Sequence, residues 1–343
     1  MRIGFIIQSW EKIDAPNSST LAIIKECLFR KHKVSILYTN DLTVRDNVVN
    51  GFVKELSYEG KFTENIISFH KKVKVERKLI ALHAFDCIMM RKDPPINPLV
   101  FNFLDAIKDE TIIINDLDGI RKANNKLYTT TFHDPSGSFL PETHVSGSKS
   151  YINRIIDEST HEKMIMKPLD GSGGRGVIVL EKNARTNINS LLDFYLDESK
   201  DSYVILQEYI EGAEDGDVRV IMLSGKAIGA YQRKPAVGEI RANIQQGGSA
   251  HKYTLTESQK RICKKIGTKL LADGLFFVGL DMIGDKILEV NVLNPGGITN
   301  INRLNKVKLH RQVVDSFEEK VDEKIEKRAE LEYLLKHLSE LRS

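Results

Sequence analysis

A glycine-rich segment is the strongest chemical signal in this sequence. Residues 171–176 read Gly-Ser-Gly-Gly-Arg-Gly, and four glycines in six residues carry a backbone entropy cost that a binding site would explain. Backbone N–H groups in such a segment can approach phosphate oxygens closely. A P-loop or a dinucleotide fingerprint would lead into a helix, whereas the apolar run 177–180 predicts a strand. We therefore expect a hairpin whose turn covers phosphates; the alternative is a tight hairpin without a ligand.

Two lysines could add positive charge to this phosphate site. Lys167 ends the apolar run 164–166, so a purely surface position is not expected for it. A lysine there would direct a compact positive charge at a nucleotide phosphate. Lys126 could supply a second charge, but its own segment leaves that role open.

Three oxygen-bearing side chains fall on two predicted neighbouring strands, 276–283 and 286–292. Glu289 and Asn291 are two residues apart and so share one strand face, which Asp281 can reach from across the hairpin. Carboxylate and amide oxygens suit Mg²⁺. The surrounding residues are apolar, and a buried acid needs a partner. The alternative is salt bridging to nearby lysines.

Arginines in the third part of the chain could stabilise a transferring phosphoryl group. Arg219 lies on a predicted strand at 218–223, and a surface cross-strand ion pair is an equally good explanation for it taken alone. Arg233 and Arg241 are further candidates. Arg241 lies in the polar loop 239–249, which could act as a lid that excludes water. His133, His144 and His251 receive no assigned role, although His251 follows the loop and could touch substrate.

The elements that must position these groups fall into three parts. Strands at 3–7, 34–38, 86–90 and 111–114, with a helix at 20–30, predict a wound parallel sheet, and 50–69 is interpreted as a hairpin excursion. A helix at 120–131 leads to an antiparallel lobe with strands at 141–145, 164–167, 177–181 and 203–209 and a helix at 190–196. A third part has strands at 218–223, 227–231, 276–283 and 286–292 and a helix at 258–271. The helical pattern at 313–342 predicts either a domain cap or an oligomerisation helix.

Bulk composition narrows the class of protein. The 343 residues carry a net charge of +3, which does not call for a nucleic-acid partner. Three scattered cysteines make neither a disulfide framework nor a zinc cluster expected. The first apolar run is too short for a signal peptide, and no stretch reaches membrane length, so we expect a cytoplasmic protein.

Several short strings together resemble the bacterial glutathione synthetases of the ATP-grasp superfamily. They are Met-Arg-Lys-Asp-Pro-Pro at 90–95, Asn-Lys-Leu at 125–127, Lys-Pro-Leu-Asp-Gly-Ser-Gly-Gly at 167–174, Gly-Asp-Val-Arg-Val at 216–220, Phe-Val-Gly-Leu-Asp at 277–281 and Glu-Val-Asn at 289–291. Their order and spacing match over about residues 1–298. The Arg-Lys-Asp-Pro-Pro string is specific to that branch, whereas the glycine loop and the Glu-x-Asn pair are general to the superfamily.

The resemblance implies an α/β protein with an ATP-grasp fold. An N-terminal wound parallel-sheet domain, the pre-ATP-grasp domain, would occupy 1–118. Two α+β lobes at 119–205 and 206–312 would clamp ATP, and 313–343 would be a helical extension.

The resemblance also implies site residues with distinct roles. ATP would contact Lys126, Lys167, Asp170, Gly171, Ser172, Gly173, Gly174, Gln207, Glu208, Tyr209, Ile210 and Asp217, with 207–210 at the adenine and Asp217 at the ribose. Catalysis would use Arg219, Arg241, Gly173 and Gly174. Asp281, Glu289 and Asn291 would bind Mg²⁺, two ions being expected and Mn²⁺ being a possible substitute. Substrate would contact Arg91, Asp93, Arg233, Asn243, Asn294, Gly296 and Gly297.

Family members join γ-glutamylcysteine to glycine with ATP, so the implied activity is ligation through an acyl phosphate. The enzyme would be a cytoplasmic homo-oligomer. It would act on small-molecule substrates and would have no nucleic-acid or membrane partner. Two segments depart from the family pattern, at 14–20 and 293–298, and the helix after 313 is additional. The first two departures lie at the substrate ends of the implied cleft. They leave open an ATP-grasp ligase with a different substrate pair, and a nucleotide-binding interaction module without catalysis is a third possibility.

Overall fold

A computed structural model describes residues 1–169, 174–183, 185–196, 202–236, 244 and 247–340. The chain divides into two compact units. One combines Met1–Leu117 with Gly296–Ser343, and the other is Asp118–Pro295. The division of the sequence into four segments stays a prediction, although one of its boundaries, after residue 118, falls next to the boundary between these units.

The strands and helices are numbered in chain order. The strands are β1 Arg2–Ile7, β2 Lys33–Leu37, β3 Leu42–Arg45, β4 Val48–Ser57, β5 Lys74–Ala81, β6 Cys87–Arg91, β7 Ile112–Ile114, β8 Thr143–Ser146, β9 Lys163–Pro168, β10 Ile178–Glu181, β11 Val204–Glu208, β12 Asp217–Leu223, β13 Lys226–Lys234, β14 Ser249–Lys252, β15 Phe277–Ile283 and β16 Lys286–Asn291. The α-helices are α1 Ser19–Phe29, α2 Ile66–Lys72, α3 Pro98–Asp105, α4 Leu117–Ala123, α5 Lys149–Glu158, α6 Arg185–Tyr195, α7 Glu257–Ala272, α8 Ile298–Asn305 and α9 Leu309–Glu340.

The first unit is built on one seven-stranded sheet. Strands β2, β1, β6 and β7 are parallel neighbours, which confirms the predicted parallel sheet. Their side chains are largely buried, as expected for strands covered on both faces. The predicted excursion is larger than 50–69: β3, β4 and β5 form an antiparallel extension attached to β2, and α2 lies between β4 and β5. Burial alternates along β4, so one face of this extension faces solvent.

The C-terminal helix α9 belongs to the same unit. Its first turns bury apolar side chains, including Val313, Phe317 and Val321. Arg30, the residue that follows the last turn of α1, places its Nη1 2.6 Å from Asp315 and 2.7 Å from Glu318. The start of α9 therefore caps the unit, which agrees with the predicted domain cap. Later apolar residues such as Ile325 and Tyr333 are exposed.

The second unit contains two antiparallel sheets. Among its described residues, one sheet has the order β10-β9-β11-β8 and the other the order β14-β13-β12-β15-β16. The first sheet packs against α5 and α6 to form a hydrophobic core, which includes Ile152 of α5, Leu192 of α6 and Met166 of β9. The antiparallel pairing of β9 with β10 agrees with the predicted hairpin around the glycine loop.

The segment predicted as one helix at 120–131 is two pieces. Helix α4 ends at Ala123, and a 3₁₀ helix then spans Lys126–Thr131. The Asn125 side chain accepts a hydrogen bond from the Leu127 amide and so starts this second piece. The change of helix type puts Lys126 at an N-terminus, where its backbone N–H donates to the Leu169 carbonyl at 3.3 Å. That bond ties Lys126 to the segment that follows Lys167.

Across the part of the chain that the structure describes, none of the helices has both the length and the apolar character required to cross a membrane.

Candidate functional site

A cavity of about 170 Å³, partly open to solvent, lies in the second unit. Its walls include many of the residues selected from the sequence: Lys126, Lys167, Gly174, Gln207, Glu208, Tyr209, Ile210, Asp217, Arg233, Asp281 and Glu289. Sequence reasoning missed the apolar lining from Ile165, Val179 and Leu288. A cleft with apolar walls and a charged end suits a ligand that has a flat ring system at one end and anionic groups at the other.

The charged end follows from strand register. Arg219 of β12 lies opposite Asp281 of β15, and Asp281 lies opposite Glu289 of β16. Directly opposite residues project from the same sheet face, so three charged groups form one row across the sheet. Asn291 is two residues from Glu289 and extends the row. The predicted common face of Asp281, Glu289 and Asn291 therefore agrees with the register.

Two arginines hold the Asp281 carboxylate. Arg219 donates through Nε to Oδ1 and through Nη2 to Oδ2, the latter at 2.9 Å. Arg233 Nη2 lies 3.0 Å from Oδ1. Burial opposes ionisation of Asp281, but the charges of Arg219 and Arg233 outweigh it and hold the pKa of Asp281 well below its usual range. Arg219 is only 8% exposed, so the alternative of a surface ion pair is half right: the pair exists, but it is buried.

Arg233 also forms a two-pronged ion pair with Asp217. Its Nε and Nη2 each donate to an Asp217 oxygen at 2.6 Å. These residues are opposite each other on β13 and β12. Asp217 was predicted to contact ribose, and here its carboxylate also fixes an arginine that reaches Asp281.

Glu289, unlike Asp281, has no arginine contact among the described residues. Within the described ranges, its side chain forms neither an ion pair nor a hydrogen bond. Burial raises the pKa of Glu289 and the nearby Asp281 charge adds to this, although Lys126, Lys167 and Arg219 act in the opposite direction. Asn291 Nδ2 donates to Asp281 Oδ2 at 3.2 Å, which leaves its amide oxygen as an acceptor. Hard oxygen donors around an uncompensated acid fit a divalent cation.

Lys167 is buried near the end of β9. It is 7% exposed, and its Nζ donates to Gln207 Oε1 at 2.9 Å. Gln207 Nε2 in turn donates to Thr143 Oγ1 at 2.8 Å, so the amide that receives the lysine is itself oriented. Burial lowers the pKa of Lys167 to about 8. Sequence reasoning anticipated the burial of Lys167 but not its link to Gln207.

This lowered pKa predicts a pH-dependent nucleotide affinity. A phosphate favours the charged lysine, so at pH above 8 binding must take up a proton. We expect the affinity for ADP, measured by calorimetry without metal, to fall by about tenfold per pH unit above pH 8. Lys167→Arg should remove this decline, because a guanidinium stays charged. Equal pH profiles for the two proteins would contradict the prediction; Lys163→Arg, at the start of the same strand, is the control.

The other predicted site residues differ in whether the structure describes them. Gly174 has a φ of +73°, which favours glycine, and lines the cavity. Asp170, Gly171, Ser172, Gly173, Arg241 and Asn243 lie outside the described residues. Asn294 belongs to the second unit.

The remaining predicted substrate residues, Arg91, Asp93, Gly296 and Gly297, belong to the first unit. Arg91 is buried at the end of β6, and its Nε donates to Thr20 Oγ1 at 2.9 Å. Gly297, with a φ of +123°, precedes α8, and its N–H donates to Ser19 Oγ at 3.1 Å. The two departing segments, 14–20 and 293–298, are thus linked by a hydrogen bond within this unit.

Comparison with known proteins agrees with this geometry. The family sequence model of the prokaryotic glutathione synthetase N-terminal domain matches residues 1–121. The family sequence model of the prokaryotic glutathione synthetase ATP-grasp domain matches residues 125–306. A glutathione synthetase of Synechococcus elongatus is 32% identical over 94% of this chain and 100% of its own, and one of a Synechocystis species is 34% identical over 92% and 98%.

The fold is also found in solved structures. A RimK domain ATP-grasp protein from Sphaerobacter thermophilus has a TM-score of 0.60 at 13% identity, covering 92% of this chain and 99% of its own. The predicted ATP-grasp fold, the predicted enzyme class of ATP-dependent peptide ligase and the predicted family are confirmed. This chain belongs to the prokaryotic glutathione synthetase family.

Proposed function

We propose that this enzyme makes glutathione, joining the cysteine carboxylate of γ-glutamylcysteine to the amine of glycine while ATP becomes ADP and phosphate. The observation that carries the proposal is the row Arg219–Asp281–Glu289, whose two acids line a cavity that Lys167 also lines. Relatives bearing the glutathione synthetase name match this chain over nearly their whole length, which supports the substrate pair.

ATP would occupy the cavity with its adenine along 207–210 and its phosphates toward Lys126 and Lys167. The Gln207–Lys167 hydrogen bond supports this orientation because it connects the ring-binding segment to a phosphate-binding charge. Asp170, Gly171, Ser172, Gly173 and Gly174 would supply backbone N–H groups over the phosphates. Asp217 would contact the ribose, and Arg241 would belong to a lid.

ATP-grasp ligases use divalent metal ions, and Glu289, Asn291 and Asp281 would hold Mg²⁺ in this enzyme. Two ions would share this row, and Mn²⁺ could replace them. When bound, the ions would neutralise phosphate charge and orient the γ-phosphoryl group. Asp281 already shares its charge with two arginines, so Glu289 would be the main charged ligand.

The reaction would have two steps. The donor carboxylate attacks the γ-phosphorus of ATP, and the bond from that phosphorus to the β–γ bridging oxygen breaks. ADP departs, and the donor becomes an acyl phosphate. The amine then attacks the acyl carbon, loses a proton and expels phosphate. Arg219, fixed by Asp281, would stabilise the charge on the transferring group, and Lys167 would hold the nucleotide in place.

The setting follows the same proposal. The enzyme would act in the cytoplasm on small molecules, as a homo-oligomer, without a nucleic-acid or membrane partner. The near balance of positive and negative residues supports the absence of a nucleic-acid role.

A coupled ADP-release assay tests the function. With MgATP, γ-glutamylcysteine and glycine together should give turnover that omission of any one component abolishes. Addition of EDTA should stop the reaction, and excess Mg²⁺ should restore it. ADP release with other dipeptides or amino acids, but not with this pair, would indicate a ligase of different specificity, as the departure at 293–298 suggests.

A further inference from the structure

A cluster of histidine and carboxylate side chains lies at one end of the four-stranded sheet of the second unit. Glu142 directly precedes β8, His161 lies just before β9, and Glu208 ends β11. Because β11 is antiparallel to both β8 and β9, its end meets their two beginnings. The Glu208 N–H donates to the Glu142 carbonyl at 3.0 Å, which fixes this meeting point in the backbone.

The ligand atoms have the spacing of a metal site. His161 Nε2 lies 3.4 Å from Glu142 Oε2 and 3.9 Å from Glu208 Oε2. One ligand atom from each residue lies within 4.8 Å of the other two. A tetrahedral zinc ion with ligand distances of about 2.0–2.1 Å separates neighbouring ligands by about 3.3–3.5 Å. Small side-chain rotations would close the remaining difference.

The neighbouring groups orient these ligands. His144 Nε2 lies 2.9 Å from Glu142 Oε1, so Oε2 of the same carboxylate is directed at His161. Lys286 Nζ lies 3.5 Å from Glu208 Oε1, which likewise leaves Oε2 on the His161 side. In the described part of the chain, the two carboxylates share one lysine contact, and this excess of negative charge favours a cation. Glu142 is exposed, so an ion can enter from solvent.

We infer that Glu142, His161 and Glu208 form a binding site for a divalent transition-metal ion of the zinc type. The site is separate from the Asp281–Glu289 row, although Glu208 also lines the cavity. One imidazole and two carboxylates suit zinc, whereas magnesium prefers oxygen ligands alone. His144 is a positioning residue that acts through Glu142. The scattered cysteines made a zinc cluster unexpected from the sequence, and these ligands lie too far apart in the chain to form a recognisable motif.

Calorimetric titration of the full-length protein with Zn²⁺ tests the site. Excess Mg²⁺ is present to saturate the Asp281–Glu289 row, and neither ATP nor peptide substrate is added, so the result is independent of the proposed function. We expect one zinc ion per chain. His161→Ala and Glu142→Gln should each weaken zinc binding by more than about tenfold, and His144→Ala should weaken it less. His251→Ala, an exposed histidine on β14, should bind zinc like the unmodified protein.

Circular dichroism and thermal unfolding distinguish the loss of zinc ligands from misfolding of the variants. Without zinc, the variants should have unchanged circular dichroism and thermal midpoints. With zinc, the midpoint should rise for the unmodified protein and stay constant for the double variant His161→Ala/Glu142→Gln. Equal zinc affinity in the unmodified protein and the double variant would overturn the inference, and the cluster would then be an ion-pair network only.

Discussion

Glu289→Gln should reduce kcat by at least about 100-fold while leaving the protein as stable as before or more so. The reason for the activity loss is that glutamine keeps the shape of the side chain but removes the charge that a divalent ion would need at this position. The reason for the retained stability is the raised pKa of Glu289, since burial and the Asp281 charge disfavour its ionised form.

The sign of the stability effect follows from that shift. An acid whose folded-state pKa is raised stabilises the fold below its ordinary pKa, and it loses that contribution as the pH rises through the raised value. Glutamine resembles the protonated acid, so the urea midpoint of the variant at pH 7 to 8 should equal or exceed that of the unmodified protein.

The matched control lies on the same hairpin. Asp285 occupies the turn between β15 and β16, is exposed, and accepts a hydrogen bond from Ser258 Oγ at 2.6 Å. Asp285→Asn should leave turnover unchanged. Full activity in Glu289→Gln would exclude Glu289 as the main metal ligand, and a lowered urea midpoint would show that Glu289 has a structural partner.

The sequence was informative where a residue's role depends on its neighbours along the strand. The two-residue step from Glu289 to Asn291 predicts a shared face in any strand, and the cross-strand position of Asp281 follows from a tight hairpin. The strands and helices that carry the site were predicted for the same reason, since apolar periodicity is local. The boundary errors, such as the 3₁₀ helix at Lys126–Thr131, come from local capping by Asn125.

The pairing of side chains across strands was beyond the reach of sequence reasoning. Nothing in the order of residues shows that Arg233 holds Asp217 and also reaches Asp281, because that depends on the register of β13 against β12. The same limit applies to Lys167 and Gln207, which are far apart in the chain but adjacent between β9 and β11. The cluster of Glu142, His161 and Glu208 was missed because three separate strand ends create it.

Arg219→Met is expected to have a double effect that separates structure from catalysis. Removing the guanidinium should lower kcat by about 100-fold to 1000-fold, as loss of a charge-stabilising donor does. It should also lower the free energy of unfolding by about 3 kcal/mol, because the buried Asp281 loses its bidentate partner and keeps Arg233 and the Asn291 amide. Urea unfolding and steady-state turnover measure the two effects.

A double variant then assigns each effect to its cause. In Arg219→Met/Asp281→Leu both buried charges are replaced by apolar side chains, while Arg233 keeps Asp217, so stability should return toward that of the unmodified protein. Turnover should stay low, because neither the arginine nor the Asp281 oxygens are restored. Arg219→Lys should retain most of the stability and still turn over slowly, since a lysine cannot form the forked contact. If the double variant regained activity together with stability, Arg219 would serve only to hold the sheet together, and the phosphoryl group would have to be stabilised by Lys126, Lys167 and Arg233 instead.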